Sequence, residues 1–399
     1  MSVWGMRDFR FLWGGRTISL LGSWLLVVAV PAHVYALTGS VFAAGLTLAV
    51  EYLPALLLGP FAGVMVDRWD RRRVMIAADL FRAAAVTGMM VGTPVAIYVA
   101  VIAESVGAVV FRPAAQAHVP AVVGTGPALS SANSWNAAAD GVVRLVGPVL
   151  GGALLAWAGF EVLVALDVAS YLLSAVAIAC TRGSSGSGTE RPGLRDGLKA
   201  LGELRLARVL LPLSGVFLMA NASLSALLVP FGVQRFGGTT QVAVVLSALG
   251  VGFLGGAVLV RWLDRIELRV TLAGAQLMTA AGFVVLFSAA ELRVAMAAAV
   301  VIGTFGSVTL IAPQTALQRV VPNEVLGRIA AVFLAVEALA TLVGAVAGPW
   351  LAESVSVRFA AMAAAAVTAL GALVGVVTVP RVMLAAKRSN EHAHGHASG

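Results

Sequence analysis

Five ionisable residues sit where such residues are rare. Glu51, Glu104, Asp140, Arg144 and Glu337 each fall near the middle of a long apolar run. Inside a membrane an ionised side chain costs about 2.5–3.5 kcal/mol on insertion scales, so it must face a partner or a water-filled cleft. A carboxylate held this way can bind and release a proton. Asp140 and Arg144 are four residues apart, on one helical face, so Asp140 is expected to be the counter-ion of Arg144. Glu51, Glu104 and Glu337 have no obvious local partner and are the better proton carriers. The alternative is that all five are static pairs across helices. Asp79 and Arg82, near the inner end of the third run, are read as structural, and Asp167 in the sixth run ranks low.

Small and polar residues accompany these charges. Asn133, Asn136, Asp140, Arg144, Gly147 and Gly151 step by three or four along the fifth run, which makes one stripe. Glu337, Thr341, Gly344 and Gly348 form a similar stripe on the eleventh. Both stripes are expected to line a seam between two halves. Gly147, Pro148, Gly151 and Gly152 should bend the fifth helix and let neighbours pack closely. Asn221, Ser225 and Ser307 are further candidates for a substrate cavity. No Ser-His-Asp, metal-ligand or nucleotide-binding pattern appears, so no enzyme, metal or cofactor is expected. Cys180 is alone and excludes an internal disulfide or a CxxC site.

The elements that must position these residues follow from composition. Of 399 residues 60% are hydrophobic and only 12% charged, with mean hydropathy +0.95. A soluble domain carries roughly 25% charged residues, so hydrocarbon must surround most of this chain. The apolar runs are continuous and about 20 residues long, which suits spanning helices rather than the alternating strands of a barrel. Spans are expected near 14–37, 41–66, 74–92, 95–112, 128–157, 160–180, 208–234, 240–262, 270–289, 294–317, 325–351 and 357–380. The fold class is an all-α integral membrane protein. Thr38-Gly39-Ser40, Gly92-Thr93-Pro94, Gly237-Gly238-Thr239 and Pro322-Asn323-Glu324 mark turns between spans.

Most of the 27 basic residues fall in the even-numbered loops, the termini and their flanks. The opposite loops hold Arg235, Arg293 and Arg358. Basic residues stay on the cytoplasmic side, so both termini are expected there, in a cytoplasmic (inner) membrane. The same bias explains the net charge of +8 without nucleic acid. The Ala-, Gly-, Val- and Arg-rich usage suits a high-GC bacterial chain.

The chain also repeats itself. Asp67-Arg68-x-x-x-Arg72 recurs as Asp264-Arg265-x-x-x-Arg269, Val119-Pro120 as Val321-Pro322, and Gly147-Pro148 as Gly348-Pro349. The offsets, 197 to 202 residues, are nearly constant. The expected division is a six-helix bundle over 1–180, a cytoplasmic linker over 181–207, a second bundle over 208–380 and a cytoplasmic tail over 381–399. Residues 195–208 suggest a short surface helix, and the His-containing tail a disordered end. Two related halves with a site between them suit a rocking transporter that opens to one face at a time.

The loop after the second run reads Gly63-Val-Met-Val-Asp67-Arg68-Trp-Asp70-Arg71-Arg72-Arg73. This resembles the signature loop of the major facilitator superfamily. The resemblance implies a latch formed by Gly63, Asp67, Arg68 and Arg72, with Asp264, Arg265 and Arg269 as its second-half copy, where Val260 replaces the glycine. Gly147-Pro148-Val-Leu-Gly151-Gly152 resembles the end of the fifth-span motif of drug/proton antiporters; Val143 stands where an earlier glycine is usual. The opening Arg7-Asp8-Phe9-Arg10-Phe11-Leu12-Trp13-Gly14 is similar to the macrolide- and siderophore-exporting branch. The implied fold is twelve helices in two pseudo-symmetric bundles. The implied function is proton-coupled export of amphipathic small molecules by a monomer, with substrate, protons and lipid as its partners. The runner-up is an uptake permease or facilitator for a small metabolite.

Overall fold

The computed structural model describes residues 3–67, 69–124, 127–181, 204–263, 266–320 and 323–381. Among the described residues, twelve helices are long and apolar enough to cross a membrane. In the first half they are α1 (Arg7–Thr38), α2 (Val41–Asp67), α3 (Arg71–Thr87), α4 (Pro94–Val123), α5 (Pro127–Ala158) and α6 (Phe160–Ala179). In the second they are α7 (Arg205–Phe236), α8 (Thr239–Leu263), α9 (Leu268–Ser288), α10 (Leu292–Val320), α11 (Asn323–Ser354) and α12 (Val357–Thr378). The expected linker helix and tail lie outside the described residues.

The helices start and stop for local reasons. The Asp70 carboxylate accepts from the Arg73 backbone N–H at 2.8 Å and caps α3; Thr93 and Ser356 cap α4 and α12 in the same way. Gly39 and Gly237 end α1 and α7 with φ of 67° and 83°, a left-handed turn that glycine adopts without strain. Two boundaries differ from the sequence expectation. Helix α1 begins at Arg7 rather than 14, and α4 runs through Pro113 and Pro120 to Val123 rather than stopping at 112. A proline forfeits only one backbone bond, and neighbouring helices hold the chain on either side of it. Arg16 and Arg112 therefore sit inside helices rather than on flanks.

Helix pairing shows the duplication. The contacts α1–α5, α1–α6, α2–α4, α3–α4 and α3–α6 recur as α7–α11, α7–α12, α8–α10, α9–α10 and α9–α12. The two bundles meet through α2 against α11 and α5 against α8, and each of these pairs is the image of the other. Each bundle has its own interior. One is built around Leu25, Ile97, Leu163 and Tyr171, the other around Leu227, Phe283, Ile302 and many alanines. Helices α6 and α12 turn Leu173, Val176, Leu373 and Val377 outward, as lipid-facing helices do.

Candidate functional site

The seam between the bundles is tight toward one end. Gly152 of α5 lies against Ala243 and the Thr239 carbonyl of α8, and Gly45 of α2 receives the ring of Pro349 from α11. Ser247 Oγ donates to the Leu145 carbonyl at 2.6 Å, and Ser40 Oγ donates to Glu353 Oε1 at 2.9 Å. Gln234 Nε2 donates to the Tyr35 hydroxyl, and Val28, Ala32, Val229 and Val242 close the space between the bundles. These groups cluster near the loops that join α1 to α2, α5 to α6, α7 to α8 and α11 to α12. The Arg-rich ends of the helices lie opposite.

Several polar side chains away from that closure stay accessible. Glu51, Arg112, Asn133, Arg144 and Ser225 are exposed; Asn136, Asn221 and Glu337 are half-buried. Glu51 is within electrostatic reach of Glu104 and Arg112, and its neighbour Tyr52 within reach of Arg112 and Arg144. Helices α2, α4 and α5 thus bring these charged groups within electrostatic reach of one another. Glu337 makes no ion pair among the described residues.

The pairing of Asp140 is not the expected one. Its carboxylate oxygens lie 2.8 and 2.9 Å from Nη2 of Arg16 on α1. The Arg144 guanidinium instead stands over Trp24, 5.4 Å from the ring centroid. Helices α1 and α5 run in the same direction and in register, so Trp13 meets Trp135, Arg16 meets Asp140, and Trp24 meets Gly147. That register carries Arg16 to Asp140. No helical spacing within α5 could reveal it.

Glu104 also has a partner that its own helix does not show. Arg82 Nη2 lies 2.8 Å from Glu104 Oε1, and Arg82 Nε donates to the same oxygen at 2.9 Å. Arg82 Nη1 lies 3.3 Å from Asp79 Oδ1. The Tyr171 hydroxyl donates to Glu104 Oε1 at 2.8 Å and accepts from Arg82 Nη2 at 2.8 Å, while Ser23 Oγ is 2.8 Å away. The guanidinium lies over the Tyr171 ring, 4.1 Å from its centroid. This cluster joins α1, α3, α4 and α6 deep inside the first bundle. Tyr171 was missed because a tyrosine in a spanning run reads first as an interface anchor.

Other candidates separate. Ser307 is fully buried where α10 meets α8; it donates to the Thr304 carbonyl at 3.0 Å and fills the space beside Gly256. It is therefore a packing residue, not part of a cavity. The small residues of the α5 stripe sit at close helix contacts. Gly147 packs on Trp24, Gly151 on the Leu25 carbonyl, and Gly152 on α8, while Pro148 is buried. On α11, Gly344 and Gly348 meet Met219 and Ser223 of α7 in the equivalent way. Of the latch residues, Arg68, Asp264 and Arg265 lie outside the described residues, as do the side chains at Gly63 and Asp67. Arg72 donates to the carbonyls of Ile178 and Ala179 at the end of α6, and Arg269 donates to Glu267 at 2.6 Å. Among the described residues no three His, Cys, Asp or Glu side chains are grouped to hold a metal ion.

A family model described as a transmembrane secretion effector matches residues 4–397. Macrolide efflux protein A of Streptococcus pyogenes is 23% identical over 283 residues, 67% of this chain and 70% of that one. The multidrug efflux pump Tap of Mycobacterium tuberculosis is 28% identical over 294 residues, 67% of this chain and 68% of that one. Among solved structures, a bacterial homologue of the iron transporter ferroportin in an inward-facing state superposes with TM-score 0.75 at 18% identity. It covers 94% of this chain and 99% of its own. The nucleoside transporter NupG superposes with TM-score 0.75 at 11% identity, with the same coverages. At these identities the structural likenesses speak for the fold alone.

Proposed function

Because the chain belongs to the transmembrane secretion effector family of the major facilitator superfamily, we propose that it exports amphipathic small molecules in exchange for protons. The substrates are of the drug, macrolide or siderophore-like class. The membrane is a bacterial cytoplasmic membrane, with both chain ends and the Arg-rich helix ends on its inner side. One observation carries this reading: the bundles are closed against each other at the Arg-poor end, while Glu51, Arg144 and the Asn133–Asn136 stripe stay accessible away from it. This supports a transporter resting open to the cytoplasm, ready to take cargo outward. The accessible wall mixes a few charges with aromatic and apolar surface, which suits a partly apolar or cationic guest. The two efflux relatives point the same way.

Glu51 and Glu337, on facing bundles, are the seam acids proposed to exchange protons with the cargo cycle. Asp67, Arg68 and Arg72, with their second-half copies, are proposed to latch the alternative, outward-open state. The test is transport in proteoliposomes with an imposed pH gradient. A fluorescent cationic dye is expected to accumulate against its own gradient in the export direction. Movement of dye only down its own gradient would remove proton coupling. Nucleoside uptake without dye export would favour the permease reading. Glu337→Gln and Glu51→Gln are each expected to cut gradient-driven export several-fold while dye binding persists.

A further inference from the structure

The cluster around Arg82 carries an imbalance that packing alone does not explain. Two carboxylates, Glu104 and Asp79, pair with one guanidinium, and a third, Asp167, is buried within electrostatic reach of it. Asp79 and Asp167 are 0% and 1% exposed, and the Glu104 side chain is 18% exposed. Asp167 is within electrostatic reach of Arg82, Asp79 and Glu104, yet its carboxylate accepts its hydrogen bond from Ser170 of its own helix, at 3.2 Å. The Ser174 hydroxyl of α6 stands beside Asp79 as a neutral donor and brings no charge to the cluster. With all three acids ionised the cluster would hold a net charge of −2 away from water, which the surrounding dipoles cannot offset. Two protons remove the excess.

No other charge answers the imbalance from the helices around it. Helix α1 presents Ser19, Gly22 and Ser23, and α6 presents Ser170, Tyr171 and Ser174. Helix α2 adds another acid, Glu51, within reach of Glu104, and Arg112 of α4 faces Glu51. Asp167 is sealed by α1: a Cβ on Gly22 would strike Asp167 Oδ1 and Ser170 Oγ.

The second bundle supplies the control. Helices α9, α10 and α12 occupy the stations that α3, α4 and α6 occupy in the first. Their charged residues are Arg269, Arg293, Arg319 and Arg358, each second from a helix end. Their interior is packed with neutral groups such as Gln276, Thr279 and Thr368. The same architecture therefore folds without a buried charge at this station. Retaining four in one bundle, against the cost of burying them, calls for a use.

We infer that Asp79, Glu104 and Asp167, gathered around Arg82, are a proton store inside the first bundle, loaded from the cleft through Glu104. This rests on the proton-coupled reading above and adds to it a site away from the seam. Glu104 is the member with access to water. A hydronium ion in the cleft gives its proton to a Glu104 oxygen, forming a carboxyl O–H and leaving water. The neutral carboxyl no longer holds Arg82 by charge. The guanidinium then pairs with the ionised Asp79, already 3.3 Å away, while the cluster's other proton stays on the sealed Asp167, and the tie between α3 and α4 loosens. Return of the proton to water on the other face of the membrane restores the pair.

The experiment compares Asp167→Asn with wild type in the dye-loaded proteoliposomes. It reads gradient-driven accumulation and, separately, dye counterflow with no pH gradient. Asp167→Asn is expected to cut gradient-driven accumulation at least about ten-fold, a loss of about 1.4 kcal/mol in drive, while counterflow stays within about two-fold. Wild-type accumulation in Asp167→Asn would overturn the proposal. Infrared difference spectra of the wild-type protein keep the proposal testable if that variant does not fold. A buried protonated-carboxyl band that changes on dye binding is expected, and its absence from the wild type would overturn the proposal. The quadruple variant Asp79→Asn/Arg82→Gln/Glu104→Gln/Asp167→Asn copies the neutral second bundle. It is expected to fold and bind dye but to ignore the gradient; gradient-driven export by it would sink the store. If wild type shows no gradient drive at all, the proton-coupled reading fails first, and the infrared band still decides whether these acids hold protons.

Discussion

At the scale of single residues, the charges choose partners by helix register rather than by sequence spacing. Asp140 had Arg144 one turn away on its own helix, yet it pairs with Arg16, whose guanidinium approaches from α1. Arg144 is held by the face of Trp24, an arrangement that a cation over an indole stabilises by about 0.5–2 kcal/mol. The residue types were legible: buried charges in apolar runs declare themselves by their cost. Their partners were not, because a pair 124 residues apart depends on how two helices align. A charge-swap experiment separates the two assignments. Asp140→Arg alone should place two cations together and lower the melting temperature in detergent by several degrees. Adding Arg16→Asp should recover most of the loss, whereas adding Arg144→Asp should not. The Arg16–Asp140 pair is partly exposed, so the effect should stay well short of unfolding the protein. Recovery by Arg144→Asp instead of Arg16→Asp would refute the register described here.

At the scale of helices, the small residues do what the charges cannot: they set how near two backbones come. Gly151 lets α5 meet the Leu25 carbonyl of α1, and Gly344 lets α11 meet the Met219 carbonyl of α7. A side chain at either position would strike backbone, which cannot rotate away. Lipid tails are as apolar as the helices, so such close contacts carry much of the association between helices. Gly344→Leu and Gly151→Leu should each abolish a monodisperse peak on size-exclusion chromatography, or lower melting by more than about ten degrees, as large overpacking does. Gly14→Ala and Gly274→Ala, whose added Cβ would meet nothing within 4 Å, should change melting by less than about one degree. Span number and most span ends were readable from continuous apolar runs and from turns such as Gly39 and Gly237. The end of α4 was not. Pro113 and Pro120 read as stops, but packing of Ala114, Ala115, Val119 and Val123 against α1 and α3 carries the helix past both.

At the scale of the whole molecule, the two bundles close on each other at one end and leave polar side chains accessible away from it. The repeat of Gly147-Pro148 as Gly348-Pro349 already announced the duplication, and the contact pairs reproduce it helix for helix. Which end is shut could not be read from sequence, because a stripe shows which helix faces meet but not how far apart the bundles stand at either end. The shut end is held by the Pro349 ring in the notch of Gly45, by Gly152 against α8, by Val28, Ala32, Val229 and Val242, and by the Ser40–Glu353 and Tyr35–Gln234 hydrogen bonds. Under the export reading this end must part once per cycle, a population shift of a few kcal/mol. Cysteines at Ser40 and Glu353, in a chain carrying Cys180→Ser, test it. A short reducible thiol cross-linker should join this pair in the resting protein at least about ten-fold faster than a pair placed at Asn133 and Gln314, exposed positions toward the opposite end. The link should stop transport, and reduction should restore it. Faster linking at Asn133 and Gln314 would mean that the resting protein is shut at the Arg-rich end. Linking at Ser40 and Glu353 that leaves transport untouched would mean that this end never needs to part.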